Sequence, residues 1–419
     1  MTSGGAGDVG GAGIVVVGAS LAGLRAAEEL RARGYTGPVT MVGDEAHRPY
    51  DRPPLSKQVL AGTWEPERIA LGVAHAEGLD GLALEWRLGT RAAGLDLAGR
   101  TVALADGTSL AWDGLVVATG ATPRTLPGTG HLAGVHTLRT LDDCLGVHAV
   151  LAGRPGRVVV VGGGFIGAEV AATCRGHGID VTLVEALPVP LGRVLGEQIG
   201  AVMADLHRDH GVDVRLGVGV EGLDPSPADP GRVGRVRLAD GTAVDADLVV
   251  VGIGVTPATG WLEGSGLTVD DGVVCDETTL AGPGVVAAGD VARWPSRRFG
   301  GLIRVEHWDN AITMGAHAAG RLLAELGEPA GSTEAYDPVP WFWSDQYDRK
   351  VQLAGRSVDA DEVRVVDGTT GERRFVALYR RSDRLVAVLA MNRPRPMMAY
   401  RALIEQGASW DDALAVAPA

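Results

Sequence analysis

Residues 157–169 read Arg-Val-Val-Val-Val-Gly-Gly-Gly-Phe-Ile-Gly-Ala-Glu, and this stretch is the strongest indication of the fold in the sequence. A run of β-branched residues leads into glycines 162, 164 and 167, a small-residue helix follows, and a second β-rich run ends on Glu185, 18 residues after the last glycine. Strand, Gly-x-Gly-x-x-Gly, helix and terminal acid together are typical of a dinucleotide-binding βαβ unit. Gly162 predicts a tight turn, Gly164 a close approach to a pyrophosphate, and Gly167 close packing of helix on strand. The alternative is a plain βαβ crossover with a glycine-rich turn.

A second copy of this pattern lies near the start of the chain. It reads Ile14-Val15-Val16-Val17-Gly18-Ala19-Ser20-Leu21-Ala22-Gly23 and is followed by a helical pattern and another β-rich run. Ser20 replaces the middle glycine and places a Cβ where a pyrophosphate should approach, although its hydroxyl can donate to a phosphate. Asp44 or Glu45, after the second run, would accept ribose hydroxyls. A solvated loop acid is the alternative for either residue.

Two nucleotide sites in one chain are most simply explained by two different cofactors. A tightly held flavin at the first copy would accept the hydride that a nicotinamide dinucleotide at the second copy delivers. The alternative is a duplication in which one site is inactive. At the second copy, Glu185 would bind the ribose diol and repel a 2′-phosphate, so NADH is expected in preference to NADPH. Arg193 would soften that preference, because arginine also accepts a phosphate.

Composition argues against several classes of protein. The 419 residues carry a formal net charge of −14, whereas nucleic-acid binding needs clustered Lys and Arg. A chain of this length is expected to form two or three domains. Three cysteines lie far apart in sequence without Cys-x-x-Cys spacing, so neither an iron–sulfur cluster held by this chain nor a disulfide scaffold is expected. Each cysteine is predicted to be a buried small apolar residue, and no metal site is expected.

The N-terminal residues Met1 to Gly13 predict a flexible, glycine-rich lead-in without the basic region of a signal peptide. The longest uncharged run, Val9 to Leu24, is short and interrupted by glycine, so no membrane span is expected. We therefore expect a cytoplasmic protein.

The segment Arg48-Pro49-Tyr50-Asp51-Arg52-Pro53-Pro54-Leu55-Ser56-Lys57 is the next informative stretch. The paired prolines stiffen an extended chain and predict a helix that begins near Leu55 and carries Lys57 in its first turn. A lysine at a helix N-terminus is disfavoured by the helix dipole. A ligand such as the electron-rich edge of an isoalloxazine would account for it, and a surface lysine is the alternative.

The segment 48–57 resembles the signature of the FAD-dependent NADH:ferredoxin reductases, the flavoprotein family of putidaredoxin reductase and the reductases of aromatic-ring dioxygenases. The resemblance runs from about Gly13 to about Arg401, with several motifs in the family's order. It implies an α/β fold, similar to that of glutathione reductase, with two Rossmann-like dinucleotide-binding domains and a small α/β C-terminal domain. The implied domains are FAD-binding (1–124 and 251–330), NADH-binding (125–250) and C-terminal (331–419).

The motifs and the resemblance together imply two sets of cofactor contacts. Those expected for FAD are Gly18, Ser20, Ala22, Gly23, Asp44, Arg48, Lys57, Ala92, Thr119, Gly120, Arg124, Arg139, Gly289, Asp290 and Trp308. Those expected for NADH are Gly162, Gly164, Phe165, Ile166, Gly167, Glu169, Glu185, Arg193, Gly252, Ile253, Gly254, Glu306 and His307. Lys57 and Glu169 are the expected catalytic residues, with Glu169 facing the nicotinamide carboxamide.

Simpler roles remain open for several of these residues. Glu169 would also stabilise its helix by lying near the N-terminus. Arg124 and Arg139 have the alternative of surface or ion-paired arginines, and Asp290 that of a helix cap. A lone histidine such as His307 is more often structural. The sequence also departs from its relatives after residue 254, where an asparagine contact of the family is missing.

The pattern changes at about residue 331. Pro340-Trp341-Phe342-Trp343-Ser344-Asp345-Gln346 opens a segment of short β-like runs, and its aromatic residues are expected in a core or at the flavin edge. Residues 371–401 hold eight arginines against two acids, and residues 287–304 hold four arginines against one acid. In a chain of net negative charge these two segments predict a docking patch for an acidic ferredoxin, with a solvated face as the alternative.

The function expected from these features is transfer of electrons from NADH through FAD to an iron–sulfur ferredoxin. That ferredoxin would serve a haem monooxygenase or a ring-hydroxylating dioxygenase. One alternative is a disulfide or peroxide reductase of the same fold, which is disfavoured because no cysteine lies near residues 50–57. The other is a signalling or scaffold flavoprotein that resembles apoptosis-inducing factor.

Overall fold

The structure is a computed structural model, and it describes residues 12–416. Most of the predicted lead-in from Met1 to Gly13 therefore lies outside the described residues. The strands, in chain order, are β1 (Ile14–Val17), β2 (Val39–Val42), β3 (Glu85–Arg87), β4 (Ala92–Asp96), β5 (Thr101–Leu104), β6 (Ser109–Ala111), β7 (Gly114–Val117), β8 (Ala121–Pro123), β9 (Val135–Thr137), β10 (Arg157–Val161), β11 (Asp180–Glu185), β12 (Asp213–Leu216), β13 (Val220–Pro225), β14 (Val233–Leu238), β15 (Ala243–Asp245), β16 (Leu248–Val251), β17 (Val255–Pro257), β18 (Val273–Val274), β19 (Leu280–Gly282), β20 (Val285–Ala287), β21 (Ala292–Pro295), β22 (Leu302–Arg304), β23 (Trp341–Gln346), β24 (Arg349–Gly355), β25 (Glu362–Thr369), β26 (Arg374–Arg381) and β27 (Arg384–Met391).

The helices lie between these strands and at the C-terminal end. They are α1 (Leu21–Ala32), α2 (Leu141–Ala152), α3 (Phe165–Gly176), α4 (Gly192–Asp209), α5 (Trp308–Glu325), α6 (Pro394–Gln406) and α7 (Trp410–Ala415). Short 3-10 helices cover Pro53–Ser56, Pro66–Ile69, Asp80–Leu82, Gly260–Leu262 and Gly289–Val291. Across residues 12–416, no helix combines the length and the apolar character needed to cross a bilayer.

The chain divides into two compact units. The first comprises Met1–Asp51, Ala70–Ala121 and Pro257–Asp337. Its main sheet has the order β19-β20-β7-β1-β2-β3, and β1 lies parallel between β2 and β7. All four residues of β1 are buried, as are those of β2 and β7, because a parallel sheet is covered on both faces. Two three-stranded sheets, β4-β5-β6 and β18-β21-β22, complete this unit.

The second unit comprises Arg52–Ile69, Thr122–Thr256 and Pro338–Ala419. A parallel sheet in the order β12-β11-β10-β16-β9 contains the valine run of β10, and a small sheet β13-β14-β15 packs beside it in one core. The C-terminal residues form a five-stranded antiparallel sheet in the order β23-β24-β27-β26-β25. Its inner face packs on α4 through a cluster that includes Leu195, Ile199 and Met203, which share one face of that helix.

Two parallel sheets, each built on a strand, a glycine loop and a helix, confirm the predicted fold class. The C-terminal sheet and helices confirm the additional α/β segment. Residues 52–69 and 338–419 group with the second unit, so the compact units differ from the expected functional domains, whose boundaries stay a prediction.

The expected helix start near Leu55 was wrong. Pro53 and Pro54 occupy the first two positions of a 3-10 turn, and Lys57 is its C-cap. The fixed φ of proline suits the first residues of a helical turn, so the turn begins two residues earlier than expected and ends before the lysine. Lys57 therefore lies at the C-terminal end of a turn, where a cation is favoured by the backbone dipoles.

Candidate active site

The first glycine loop joins β1 to α1. Gly18 has a φ of +122°, and a Cβ there would lie 2.0 Å from the carbonyl oxygen of Ala118. A Cβ on Gly23 would lie 2.0 Å from the carbonyl oxygen of Gly18. The fold itself therefore requires both glycines. Ser20 is the N-cap of α1, and the backbone N–H groups in the first turn of such a helix suit an anion.

Four further predicted FAD residues of the first unit follow the carboxyl ends of its strands: Asp44, Thr119, Gly120 and Gly289. Asp44 is exposed directly after β2, while Thr119 and Gly120 follow β7, where the Thr119 hydroxyl donates to the carbonyl of Ala258 at 2.8 Å. Gly289 packs against α1, because a Cβ on it would lie 2.9 Å from the Cβ of Ala22. Ligands of such open sheets bind outside this end of the strands. The geometry therefore fits a dinucleotide held along this edge.

Trp308 and Asp290 lie near the start of α5 and in the turn after β20. The indole Nε1 of Trp308 donates to Oδ1 of Asp51 at 2.6 Å, which fixes the ring. The backbone carbonyl of Asp290 accepts from a guanidinium NH of Arg304 at 3.1 Å. Ala92 is buried at the start of β4. These residues are anchored by the fold in the same unit as the first glycine loop.

Arg48 lies on the surface of the first unit. It is exposed, forms an ion pair with Asp80 at 2.9 Å, and its guanidinium lies 5.4 Å from the ring centre of Trp86. Of the remaining predicted FAD contacts, Arg124, Arg139 and Lys57 belong to the second unit.

Arg124 and Arg139, the two arginines predicted to contact FAD from the second unit, have hydrogen-bond partners within that unit. Nε of Arg124 donates to the hydroxyl of Thr256 at 3.3 Å, and the side chain is exposed. The backbone N–H of Arg139 donates to Oδ2 of Asp143 at 2.9 Å, within the capping structure of α2. Its carbonyl accepts from a guanidinium NH of Arg52 at 2.5 Å. A role toward FAD stays a prediction for both.

The second glycine loop joins β10 to α3. A Cβ on Gly162 would lie 2.3 Å from the carbonyl oxygen of Gly252, and one on Gly167 would lie 2.0 Å from that of Gly162. The protein requires these two glycines for its own packing. A Cβ on Gly164 would meet nothing closer than 3.9 Å, and its φ of −73° suits any residue. The surrounding protein gives no reason for a glycine at 164, whereas a bound pyrophosphate does.

Glu185 ends β11 next to this loop. One carboxylate oxygen accepts from the backbone N–H of Gly163 at 2.7 Å, and the other accepts from that of Leu187 at 2.8 Å. Two backbone donors hold the carboxylate in place while its remaining lone pairs stay available to hydroxyl donors. The adjacent Ile166 and Ile253 are exposed apolar side chains. Together these features fit a ribose and flat rings at the loop.

Several predicted NADH contacts have other surroundings. Arg193 is exposed in the first turn of α4, and the Gly252–Gly254 turn follows β16. Glu306 and His307 belong to the first unit, where Glu306 pairs with Arg304 at 2.5 Å. Burial lowers the pKa of His307 to about 4, so its imidazole is neutral at physiological pH.

Lys57 and Glu169 form a buried ion pair within the second unit. Nζ of Lys57 lies 2.8 Å from Oε2 of Glu169, and the hydroxyl of Ser56 donates to the same oxygen. The hydroxyl of Ser344 donates to Oε1 at 2.7 Å. Lys57 and Lys350 are the two lysines of the chain, in which every other long basic side chain is arginine. The compact ammonium of lysine at this buried position is therefore a specific feature of the site.

Two residues of this cluster carry no motif that would identify them from sequence. Ser56 lies two residues after a double proline, and Ser344 lies between Trp343 and Asp345. The sequence contains one weak indication that Ser344 belongs to the site. Ser344 alternates with Phe342 on the inward face of β23, and a polar residue at such a position needs a hydrogen-bond partner. The partner, Glu169, is far away in sequence.

The arginine-rich segments are partly neutralised by acids from other segments. Arg373 pairs with Asp209 at 3.0 Å, and Arg380 pairs with Glu362 at 2.8 Å. Other ion pairs of the two segments include Arg373–Asp205, Arg393–Asp367, Arg401–Glu405, Arg293–Asp270, Arg297–Glu277, Arg304–Asp271 and Arg304–Glu306. The exposed residues Arg374 and Arg395 form no ion pair within the described part of the chain. The local charge reversal is thus smaller than the sequence alone indicates.

The three cysteines are buried thiols, as predicted. Burial raises the pKa of Cys144, Cys174 and Cys275 to about 12 in each case. A thiol of such high pKa supplies almost no thiolate near neutral pH. Within residues 12–416, none of the three forms a disulfide, and none lies in a redox dithiol.

Comparison with known proteins gives matches over almost the whole chain. Residues 12–315 match the model of the pyridine nucleotide-disulphide oxidoreductase family, and residues 341–419 match that of the reductase C-terminal family. Rhodocoxin reductase of Rhodococcus erythropolis is 38% identical over 393 residues, which are 93% of this chain and 89% of that protein. The ferredoxin–NAD(+) reductase component of the anthranilate 1,2-dioxygenase system of Burkholderia cepacia is 38% identical over 401 residues, 95% of each chain. Among solved structures, the covalent putidaredoxin reductase–putidaredoxin complex matches with a TM-score of 0.88 and 35% identity, covering 94% of this chain and 93% of the other.

Proposed function

The chain belongs to the pyridine nucleotide-disulphide oxidoreductase family, and we propose that it passes electrons from NADH through FAD to an iron–sulfur ferredoxin. The observation that carries this function is the similarity along nearly the full chain, C-terminal domain included, to a reductase solved in complex with putidaredoxin. The two glycine loops agree with it, because each is built to hold one dinucleotide. The buried cysteines argue against the disulfide or peroxide reductase, which needs a reactive thiol.

FAD is held in the first unit along the carboxyl edge of the parallel sheet. The Gly18–Gly23 loop faces its pyrophosphate. Asp44 accepts hydrogen bonds from its ribose hydroxyls, and Asp290 accepts a hydrogen bond from a hydroxyl of its ribityl chain. When bound, FAD accepts a hydride and returns electrons one at a time. Trp308, fixed by Asp51, lines the site of the ring system.

NADH is held in the second unit by the loop that contains Gly164. The first turn of α3 faces the pyrophosphate, and Glu185 accepts hydrogen bonds from the ribose diol. The negative charge of Glu185 repels a 2′-phosphate, so the enzyme prefers NADH to NADPH. The Glu169 carboxylate, held against Lys57, orients the carboxamide of the nicotinamide. The ammonium of Lys57 supplies a fixed positive charge beside the Glu169 carboxylate in the second unit.

The ferredoxin docks transiently through the arginine-rich segments 287–304 and 371–401. The support for this surface is the local excess of arginine in a chain of net charge −14, because opposite charges steer electron-transfer partners together. Arg374 and Arg395 are the clearest candidates, since both are exposed and neither forms an ion pair within residues 12–416. The ferredoxin serves a haem monooxygenase or a ring-hydroxylating dioxygenase, and the enzyme acts in the cytoplasm.

Electron transfer to ferredoxin is tested by the rate at which the FAD-loaded enzyme reduces cytochrome c with NADH, with and without an added [2Fe–2S] ferredoxin. A strong dependence on the ferredoxin is expected. A rate that does not depend on it would favour the signalling or scaffold flavoprotein instead. The neighbouring genes identify which ferredoxin to use.

The docking surface is tested by charge reversal in the same assay. Arg374→Glu and Arg395→Glu together are expected to raise the apparent KM for ferredoxin by about tenfold, since rim charges act mainly on association. Ferricyanide reduction should stay unchanged. Arg91→Glu is the matched control, because Arg91 is an exposed arginine outside both segments. If ferricyanide reduction falls together with ferredoxin reduction, the segment has a structural role.

A further inference from the structure

The inward face of β23 is polar at the point where it meets α3. Phe342, Ser344 and Gln346 alternate along the strand and are buried. Phe342 packs edge to face on Phe165 of α3, with ring centres 4.5 Å apart. Glu169 lies one turn after Phe165 on the same face of the helix, so Ser344, two residues after Phe342, meets the carboxylate. A buried serine and glutamine at such positions destabilise a strand unless they are hydrogen-bonded.

Ser344 is itself held by a line of buried polar side chains. Nε2 of Gln346 donates to Oγ of Ser344 at 3.1 Å. Oε1 of Gln346 and Nε2 of His207 are both buried, and neither atom has a hydrogen-bond partner among the described residues. Nδ1 of His207 lies 2.9 Å from the hydroxyl of Tyr347. The hydrogen bonds that reach Glu169 therefore run from Gln346 through Ser344.

The two donors that lead to Glu169 point the same way, because the Gln346 amide donates to Ser344 and the Ser344 hydroxyl donates to the carboxylate. Hydrogen bonds aligned head to tail polarise one another, which strengthens the last bond, from Ser344 to the carboxylate.

The two oxygens of Glu169 are held differently. Oε2 accepts from both Lys57 and Ser56, whereas Oε1 has Ser344 as its hydrogen-bond donor. The terminal torsion of a glutamate is broad, so bonds to one oxygen leave the plane of the carboxylate free to rotate. The hydroxyl of Ser344 selects one orientation.

We propose that Ser344, supported by Gln346, is a positioning residue that fixes the orientation of the Glu169 carboxylate beside Lys57. The C-terminal sheet therefore takes part in hydride transfer from NADH through a contact inside the second unit. The inference rests on the proposed function, in which Glu169 orients the nicotinamide.

The kinetic test compares three variants of the FAD-loaded enzyme with NADH and ferricyanide. Ser344→Ala is expected to lower kcat by about tenfold, the effect of one hydrogen bond to a charged group, with a much smaller change in KM. Ser344→Thr keeps the hydroxyl and is expected to recover most of the rate. Ser357→Ala is the matched control, because Ser357 is a buried serine whose hydroxyl donates to the carbonyl of Val194. Equal losses in Ser344→Ala and Ser357→Ala would overturn the proposal.

A second measurement does not depend on activity. Protein labelled with 13C at Cε of lysine gives two lysine signals, from Lys57 and Lys350. Ser344→Ala is expected to shift the Lys57 signal and leave that of Lys350 in place, while Ser357→Ala moves neither. An unchanged Lys57 signal would overturn the positioning role. Failure of the wild-type enzyme to oxidise NADH would instead contradict the proposed function, so the two failures are distinguishable.

Discussion

The ion pair between Lys57 and Glu169 allows a quantitative prediction. The side chains of the two residues are 12% and 4% exposed, and Nζ lies 2.8 Å from Oε2. Lys57→Met keeps most of the apolar stem but leaves a buried carboxylate without its counter-charge. Breaking a buried pair in this way destabilises a protein by about 3–5 kcal/mol. Because two serine hydroxyls still bond to the carboxylate, we expect a loss of about 3 kcal/mol in the free energy of unfolding.

A second substitution separates the charge from the packing. Glu169→Gln removes the negative charge and keeps a side chain that can still bond to both serine hydroxyls. The double variant Lys57→Met/Glu169→Gln contains no unpaired charge, so we expect it to recover at least half of the loss, or about 1.5 kcal/mol. Hydride transfer should remain slow in all three variants, since each has lost at least one member of the pair.

Urea denaturation of the FAD-loaded proteins at pH 7, followed by tryptophan fluorescence, measures these differences. Lys350→Met is the matched control, because Lys350 pairs with Asp345 at 3.5 Å and the two side chains are 51% and 34% exposed. An exposed pair contributes about 0–1 kcal/mol, so the control should change little. A loss within that range for Lys57→Met, or additive effects in the double variant, would refute the argument that this pair is desolvated and coupled.

Four further predictions follow from other features of the structure. Gly164→Ala is expected to weaken NAD+ binding by about 1–3 kcal/mol in calorimetry without loss of stability, whereas Gly167→Ala destabilises the protein by a similar or larger amount, because its Cβ would lie 2.0 Å from a carbonyl oxygen. The enzyme should use NADH with a higher kcat/KM than NADPH, and equal values would contradict the role given to Glu185. The three cysteines, with pKa values raised to about 12, should not react with a thiol reagent at pH 8 until the protein is unfolded, and rapid reaction of the native protein would show that they are accessible. Burial lowers the pKa of His207 from 6.5 to about 4, so between these pH values the unfolded chain binds a proton at His207 and the folded protein does not. The free energy of unfolding should therefore fall as the pH decreases through this window. The contribution of this residue to the fall is about 3 kcal/mol. In urea denaturation at several pH values His207→Gln should show a weaker pH dependence, and an unchanged slope would contradict the buried neutral state of this imidazole.

The docking of ferredoxin illustrates how far charge can be judged from sequence. The count of eight arginines in residues 371–401 is correct, but the acids that pair with several of them, such as Asp205 and Asp209 on α4, come from other parts of the chain. An excess of arginine in a segment makes the protein surface there positive only if no acidic residue from outside the segment pairs with those arginines. The contacts that neutralise a charge are set by tertiary structure.

The two nucleotide loops and the parallel sheets around them could be predicted from the amino-acid sequence alone. These features depend on local rules, because a positive φ at Gly18 and Gly162, a run of β-branched residues and a helical repeat are all written over a few neighbouring residues. Resemblance to a known family extended that result to the cofactors and the acceptor.

The environment of Lys57 could be described only from the tertiary structure. The sequence analysis placed the lysine at the start of a helix, whereas it follows a 3-10 turn and pairs with Glu169 on α3. Ser344 joins them from the C-terminal sheet. These three residues come from distant parts of the chain, so their meeting depends on how strands and helices pack and not on any local pattern. A buried charge is stable only where such packing supplies its partners, which is why the site became visible only in the folded chain.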